Sequence, residues 1–318
     1  MPVVLLAYYC ALILVASIIG GMIPVWFQLT HRWMQFAVSF VAGVMLGVAV
    51  LDMLPHAIAE ALTAAGSAAA GLPDAAPDAP ANAMDAIVRT MIALLAGMLA
   101  MFFIERFFSF HHHDVPDEHE HGSLAVDHHA QDHVHGHVAP RHDLSWSGAA
   151  LGLVLHSILN GVALAAAVAH GGDGSRLAGL GTFLVIFLHK PFDAMTIGML
   201  MARGDQTLGW RHTVNALFSL AIPLGALLFY FGIMTDGSQS STARELWIAY
   251  ALAFSAGAFL CISLSDLLPE LQFHQHDRIK LSLALLLGLA LAWLAGQLEA
   301  AAHAAHAHSV TAGALLGP

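Results

Sequence analysis

The chain alternates long apolar runs with shorter polar connections. Eight runs reach about 20 residues, the length that a helix needs to cross a hydrocarbon core roughly 30 Å thick. They occupy residues 3–27, 34–54, 86–108, 146–168, 177–201, 214–234, 246–268 and 281–298. Backbone N–H and C=O groups in lipid need partners within their own segment, and an α-helix supplies them. The pattern therefore predicts an all-α integral membrane protein, in which residues 1–318 form a single domain of eight transmembrane helices.

Composition agrees with this class. Hydrophobic residues make up 58% and charged residues 10% of the chain, a balance typical of polytopic membrane proteins. The first run has no Lys/Arg-rich stretch before it, so we expect it to stay as a spanning helix and not to be removed as a signal peptide. The formal net charge of −11 argues against nucleic acid as a partner.

Basic residues set the expected orientation, because Lys and Arg in short loops are retained on the cytoplasmic side. In an eight-helix arrangement seven basic residues flank one side of the membrane and three flank the other. The larger set is Arg32, Arg106, Arg141, Arg203, Arg211, Arg278 and Lys280, and the smaller set is Arg89, Arg176 and Arg244. We therefore expect a multi-pass protein of the cell (inner) membrane with both termini outside the cytoplasm.

Two connections stand out by composition. Residues 55–85 are rich in Ala, Pro, Gly and Asp, which predicts an external loop with at most a short helical start and with Pro55 ending the second helix. Residues 109–143 hold eleven of the 22 histidines among acidic residues, which predicts a cytoplasmic loop that binds ions such as Zn²⁺ weakly. A low-complexity spacer is the alternative for this loop. A smaller group, whose role stays open, is His303, His306 and His308.

An internal repeat links the second and seventh runs. AGVMLGVAVLDMLPH at 42–56 aligns without a gap with AGAFLCISLSDLLPE at 256–270, and both end in Asp-x-Leu-Pro. Because the two helices run in opposite directions, the match predicts an inverted repeat of helices 1–3 and 6–8 around a central pair, helices 4 and 5. An Asp is costly in a spanning helix, so Asp52 and Asp266 are candidate entrance and exit ligands for a transported ion. Chance similarity between Leu-rich segments is the alternative.

Two histidines fall in the middle of apolar runs, each with a polar residue four positions later. His156 precedes Asn160 in the fourth run, and His189 precedes Asp193 in the fifth. An i, i+4 pair projects from one helix face, and antiparallel neighbours place all four side chains at one depth. Such groups are costly in hydrocarbon unless they face partners, water or an ion, which favours a shared metal site. For any one of them, an interhelical hydrogen bond is an equally good interpretation.

With these residues the chain resembles a bacterial-type member of the Zrt/Irt-like (ZIP) family of divalent-metal transporters. The family's fourth helix usually reads His-Asn-x-x-Asp-Gly and its fifth His-Glu-x-x-Glu or a close relative, where this chain has His-Ser-x-x-Asn-Gly and His-Lys-x-x-Asp. The resemblance covers essentially the whole chain, including the eight helices and the His-rich loop between the third and fourth. By resemblance the metal ligands are His156, His189 and Asp193 with Met45, whereas Ser157 and Asn160 fall on a degraded second position.

Lys190 departs from the family pattern, because related transporters with two metals carry a bridging carboxylate at that place. An ammonium cannot ligate Zn²⁺ and occupies by charge the space of a second cation, so we expect one central metal. An i, i+3 ion pair with Asp193 is one alternative. A buried lysine that exchanges a proton as the metal moves is another.

The sequence thus predicts a transporter, not an enzyme, that carries Zn²⁺ toward the cytoplasm, with Fe²⁺, Mn²⁺ or Cd²⁺ as other candidate ions. The direction is implied by the resemblance, and the ion is cargo, not a cofactor. A histidine pair with one carboxylate suits Zn²⁺ better than Ca²⁺ or Mg²⁺. The alternatives are a metal sensor or scaffold that does not transport, and an intramembrane metal-dependent hydrolase, although the chain has no His-Glu-x-x-His motif. The expected partners are divalent metal ions and the lipid bilayer, and the sequence leaves open whether the protein forms a homodimer.

Overall fold

A computed structural model describes residues 2–26, 31–70, 79–108, 146–170, 177–203, 206–234, 241–264 and 278–315. Within these ranges the chain is almost wholly helical and contains no strand. The helices are α1 Pro2–Trp26, α2 His31–Val48, α3 Leu54–Ala70, α4 Ala79–Phe108, α5 Trp146–His170, α6 Leu180–Arg203, α7 Leu208–Ser219, α8 Ala221–Phe229, α9 Ser241–Ile262 and α10 Arg278–Leu315. A π-helical turn at Ala49–Met53 joins α2 to α3, and a second at Tyr230–Met234 follows α8.

Eight of the helical stretches are long and apolar enough to span a membrane, which confirms the predicted all-α architecture. The second span combines α2, the π turn and α3, and the sixth combines α7 and α8. Asp266 and the His-rich loop at 109–143 lie outside the described residues, as does 71–78 of the predicted external loop. The three C-terminal histidines belong to α10.

The expectation that Pro55 ends the second helix is wrong. The helix continues through Pro55 to Ala70, so the predicted short helical start is a full helix. In the π turn the N–H of Leu54 bonds the carbonyl of Ala49, five residues back. Such a turn adds one residue and shifts the carbonyls that a proline ring would otherwise strike, so the helix passes the proline unbroken.

The helices group into two bundles. The most extensive contacts of one bundle join α2 to α10 and α9 to both α3 and α4, and those of the other join α1 to α6 and α5 to α8. Contacts between the bundles are smaller than these, although α5 also packs against α9. Helices α5 and α6, which carry the predicted ligands His156, His189 and Asp193, lie in one bundle, whereas Met45 lies on α2 in the other.

Glycines in each pairing allow the backbones to touch. A Cβ at Gly43 would overlap the carbonyl oxygen of Leu285 between α2 and α10, and a Cβ at Gly257 would overlap that of Leu94 between α4 and α9. Gly43 and Gly257 are equivalent positions in the aligned repeat. An inverted repeat of helices 1–3 and 6–8 would exchange these two helix pairs, and it stays a prediction.

Candidate metal centre

His156 and His189 face each other across the α5–α6 contact. Both are buried, with 4% and 5% of their surface exposed, and their ring centroids are 5.6 Å apart. Nδ1 of His189 donates to the carbonyl oxygen of Val185 at 2.7 Å, one turn earlier on α6. This bond fixes the proton on Nδ1 and leaves the lone pair of Nε2 directed into the site.

Asp193 completes a three-residue group. Its Oδ2 atom lies 3.9 Å from Nε2 of His156 and 3.8 Å from Nε2 of His189, and it has no hydrogen-bond partner although it is buried. Within the part of the chain that the structure describes, these are the side chains whose ligand atoms all lie within 4.8 Å of one another. A tetrahedral Zn²⁺ site with bonds of about 2.0 Å places its ligands roughly 3.3 Å apart, so small side-chain movements would close this group on an ion.

Asn160 lies between the two histidines. Its Nδ2 atom is 2.9 Å from Nε2 of His156 and 3.1 Å from Nε2 of His189. The two N–H bonds of one amide thus reach the two lone pairs that a metal would use. Sequence placed Asn160 beside Ser157 on a second position, but the structure places it within the central group.

The side chain of Lys190 is fully buried between α6, α5 and α7. Its Nζ atom donates to Oγ of Ser157 at 2.5 Å and lies 3.4 Å from the centroid of the Phe218 ring, a cation–π contact. Ser157 in turn donates to the carbonyl oxygen of Leu153 at 2.6 Å. No Lys190–Asp193 ion pair occurs among the described residues, so the structure does not support that alternative. Sequence gave no sign of Phe218, which lies on α7.

A buried group of two imidazoles and a carboxylate, inside eight spanning helices, is the arrangement that the motifs suggested. The family model described as ZIP Zinc transporter matches residues 3–295. The chain belongs to the ZIP zinc transporter family. Its family membership therefore rests on nearly the whole length of the chain and not on the two motifs alone.

Curated relatives of this ZIP protein are themselves named zinc transporters. Zinc transporter ZIP9-B of Xenopus laevis is 25% identical over 83% of this chain and 85% of its own length. Zinc transporter ZIP9-A of the same organism is 24% identical over 83% of this chain and 84% of its own length. Zinc transporter ZIP9 of Micropogonias undulatus is 31% identical over 48% of this chain and 49% of its own length.

The other predicted ligands of this ZIP protein lie apart from one another. Met45 is buried in the main hydrophobic core, which α1, α2, α5 and α6 share. Asp52 lies in the π turn, buried, with Oδ1 3.4 Å from Nδ1 of His56. The ring centroid of His56 lies 4.4 Å from that of His170, with the rings tilted by 37°, and Nδ1 of His170 is 2.7 Å from Oε1 of Glu60. Sequence analysis missed this contact, since 110 residues separate its two members.

Proposed function

We propose that this ZIP protein carries Zn²⁺ across the membrane through one centre formed by His156, His189 and Asp193, with Met45 as a further ligand. The observation that carries the proposal is the unbonded Oδ2 of Asp193, held 3.8–3.9 Å from two imidazole nitrogens. Two neutral imidazoles and a carboxylate form a donor set that suits a borderline divalent cation. A buried carboxylate oxygen without a hydrogen bond is unfavourable, and a bound cation compensates it.

Asn160 holds the centre open for the ion in this proposal. Its amide donates to both Nε2 atoms when no metal is present, so neither lone pair is left unpaired in an apolar interior. A metal that takes these lone pairs displaces the N–H groups, and the amide turns its oxygen toward the cation. Metal binding therefore breaks the two neutral hydrogen bonds from Asn160. This cost is modest, but it lowers the affinity for the ion and keeps its binding reversible.

Lys190 limits the centre to one ion. Its ammonium occupies the position at which related two-metal sites have a bridging carboxylate, and it is held there by Ser157 and Phe218. The positive charge disfavours a second cation beside the first. Ser157 and Lys190 therefore occupy the place of a second metal ion, and they are not ligands of one.

The transport that we propose runs toward the cytoplasm, across the cell membrane, with both termini outside. The excess of basic residues on one side of the eight spans supports this orientation. Fe²⁺, Mn²⁺ and Cd²⁺ are further candidate ions, because imidazole and carboxylate accept them as well.

Uptake into proteoliposomes tests the proposal. Purified protein should give saturable Zn²⁺ flux, and His189→Ala should reduce the flux to the level of empty vesicles. His212→Ala is the matched control, because His212 is exposed on α7 and should leave flux unchanged. Flux at the empty-vesicle level for the unaltered protein would contradict the transporter.

A sensor or scaffold that binds zinc without moving it is the second candidate. Lys190 and Asn160 favour it, because one adds positive charge and the other lacks the negative charge found at these places in the family. The same vesicles distinguish the two: Zn²⁺ binding to His156 and His189 without flux indicates the sensor.

A further inference from the structure

Phe259 packs against one of the two central histidines. It lies on α9, in the bundle opposite to the one that contains α5 and α6, and only 1% of its surface is exposed. Its ring meets the imidazole of His189 edge to face: the ring centroids are 6.3 Å apart and the ring planes are inclined by 80°. A proposed metal ligand on one bundle therefore contacts a phenyl ring on the other.

Phe259 takes the place of Met45 in the aligned repeat. Residues 42–56 align with 256–270, so position 45 in the second span corresponds to position 259 in the seventh. Both residues are 1% exposed and belong to the same hydrophobic cluster. A thioether can offer a lone pair to a cation, whereas a phenyl ring has none. Phe259 thus supplies no ligand, and its ring fills space beside His189 that water would otherwise take.

The number of ligands separates the candidate ions better than the kind of ligand does. Two histidines and one carboxylate bind Zn²⁺, which is complete with four ligands, and they also bind Fe²⁺ and Mn²⁺, which favour six. His156, His189 and Asp193 supply three. Zn²⁺ then needs one further ligand, for which Met45 or a single water molecule is enough, whereas a six-coordinate ion needs three.

The centre is more open at its carboxylate than at its histidines. His156 and His189 are 4% and 5% exposed, and Phe259 covers part of the latter. The side chain of Asp193 keeps 17% of its exposure, although its Oδ2 atom is buried. Such a centre accommodates one extra ligand more readily than the three water molecules that an octahedral ion would keep.

We propose that Phe259 determines which ions the centre accepts: its ring keeps water from the α9 side of His189, so that four-coordinate Zn²⁺ binds and six-coordinate ions such as Mn²⁺ are disfavoured. This role rests on the proposed function, because it concerns the ion held by His156, His189 and Asp193. The alternative is that Phe259 only fills space in the core. A smaller side chain would then destabilise the fold and weaken the binding of all ions by the same factor.

Cobalt(II) reports the number of ligands directly. Co²⁺ substitutes for Zn²⁺ in protein sites, and four-coordinate Co²⁺ absorbs visible light far more strongly than six-coordinate Co²⁺. The full chain in detergent is loaded with Co²⁺, and the spectrum of the matching His189→Ala protein is subtracted, which removes the contribution of ions bound elsewhere. We expect the strong absorption of a four-coordinate ion in the unaltered protein.

Substitutions at Phe259 should change that spectrum. Phe259→Ala should lower the absorption about threefold, because water enters the space of the ring and the ion gains ligands. Phe259→Val leaves a smaller space and should change the absorption in the same direction by less, which keeps the test valid if the alanine variant does not fold. Phe102→Ala is the matched control: Phe102 is 43% exposed on α4, and its removal should leave the spectrum unchanged.

Competition for the centre tests the consequence for selectivity. Radioactive Zn²⁺ bound to the centre, again taken as the difference from His189→Ala, is displaced by unlabelled Zn²⁺ or by Mn²⁺. The ratio of the Mn²⁺ midpoint to the Zn²⁺ midpoint should fall about tenfold in Phe259→Ala and stay constant in Phe102→Ala. A constant ratio in Phe259→Ala, with both affinities lowered, would show a space-filling role and overturn the proposal.

A weak, six-coordinate spectrum in the unaltered protein would also overturn it, as would a spectrum that Phe259→Ala leaves unchanged. Zn²⁺ uptake by the same proteins separates these results from the proposed function. Flux with a six-coordinate centre refutes the role of Phe259 alone. A four-coordinate centre without flux refutes transport, while the role of Phe259 in selecting the ion stands.

Discussion

The Nζ atom of Lys190 lies 2.5 Å from Oγ of Ser157, across the contact between α6 and α5. The serine uses its own proton on the carbonyl oxygen of Leu153, so its lone pairs face the lysine. The Phe218 ring closes the other side of the ammonium. The position of the lysine amine is therefore fixed, next in sequence to His189 and three residues before Asp193.

Lys190→Glu should allow a second metal to bind. The substitution replaces an ammonium with a carboxylate beside Asp193, so it removes a repulsion and supplies a ligand. We expect one additional Zn²⁺ per chain relative to the unaltered protein, measured by elemental analysis after removal of free metal. The His-rich segment is common to both proteins and cancels in the difference.

Lys190→Met is the matched control for that experiment, because it removes the charge without adding a ligand. It should bind no additional ion, but should bind the central Zn²⁺ more tightly. An extra metal in the methionine variant would mean that charge alone, and not the missing carboxylate, limits the centre to one ion.

Asn160→Asp should tighten zinc binding at the central site by about tenfold, since a carboxylate replaces a neutral amide next to the ion. Tighter binding should slow release, so we expect a lower maximal uptake rate together with a lower KM. Zinc titration against a competing chelator and initial uptake rates measure the two effects. Unchanged affinity would mean that the amide does not face the metal, against the contacts at 2.9 and 3.1 Å to the two histidines.

Glu299→Gln should loosen the start of α6. Both oxygens of the buried Glu299 carboxylate accept backbone N–H groups there, from Gly179 at 2.7 Å and from Leu180 at 3.1 Å. A negative charge at a helix N-terminus stabilises the helix by about 1 kcal/mol, and the neutral amide of the variant lacks this contribution. Hydrogen exchange of the peptide at 177–183 should accelerate severalfold, while the peptide at 195–201 of the same helix is unaffected.

Gly257→Ala should destabilise the protein by about 2 kcal/mol, because the new methyl group meets the carbonyl oxygen of Leu94. The apparent melting temperature in detergent should fall by several degrees. Gly66→Ala is the control: a Cβ at Gly66 meets no atom within 4 Å, and alanine is the better helix former. Equal melting temperatures for the two variants would contradict the close helix contact.

The spans could be predicted from the sequence because bilayer thickness imposes a length on apolar runs, and all eight were found. The course of the chain after Asp52 could not, because a π turn is a backbone adjustment without a distinctive composition. For that reason the sequence predicted that Pro55 ends the second helix. Once the wider turn is present, the same proline fits inside a continuous helix.

Spacing alone indicated that His156, Asn160, His189 and Asp193 share one depth, because i, i+4 positions share a helix face. It could not show that the Asn160 amide lies between the two imidazoles, since the rotation of α5 against α6 is set by packing. The contact of His170 with Glu60 could not be predicted from the sequence for a related reason, because it forms between helices of different bundles.

The bond between His170 and Glu60 joins α5 to α3, helices of different bundles. A slide of one bundle along the other by a single helical turn, about 5.4 Å, would pull the imidazole away from both Glu60 and His56. The same displacement would carry His156 and His189, because they lie on α5 and α6. The His170–Glu60 hydrogen bond would therefore resist such a slide, and the bundles could move past each other only after it breaks.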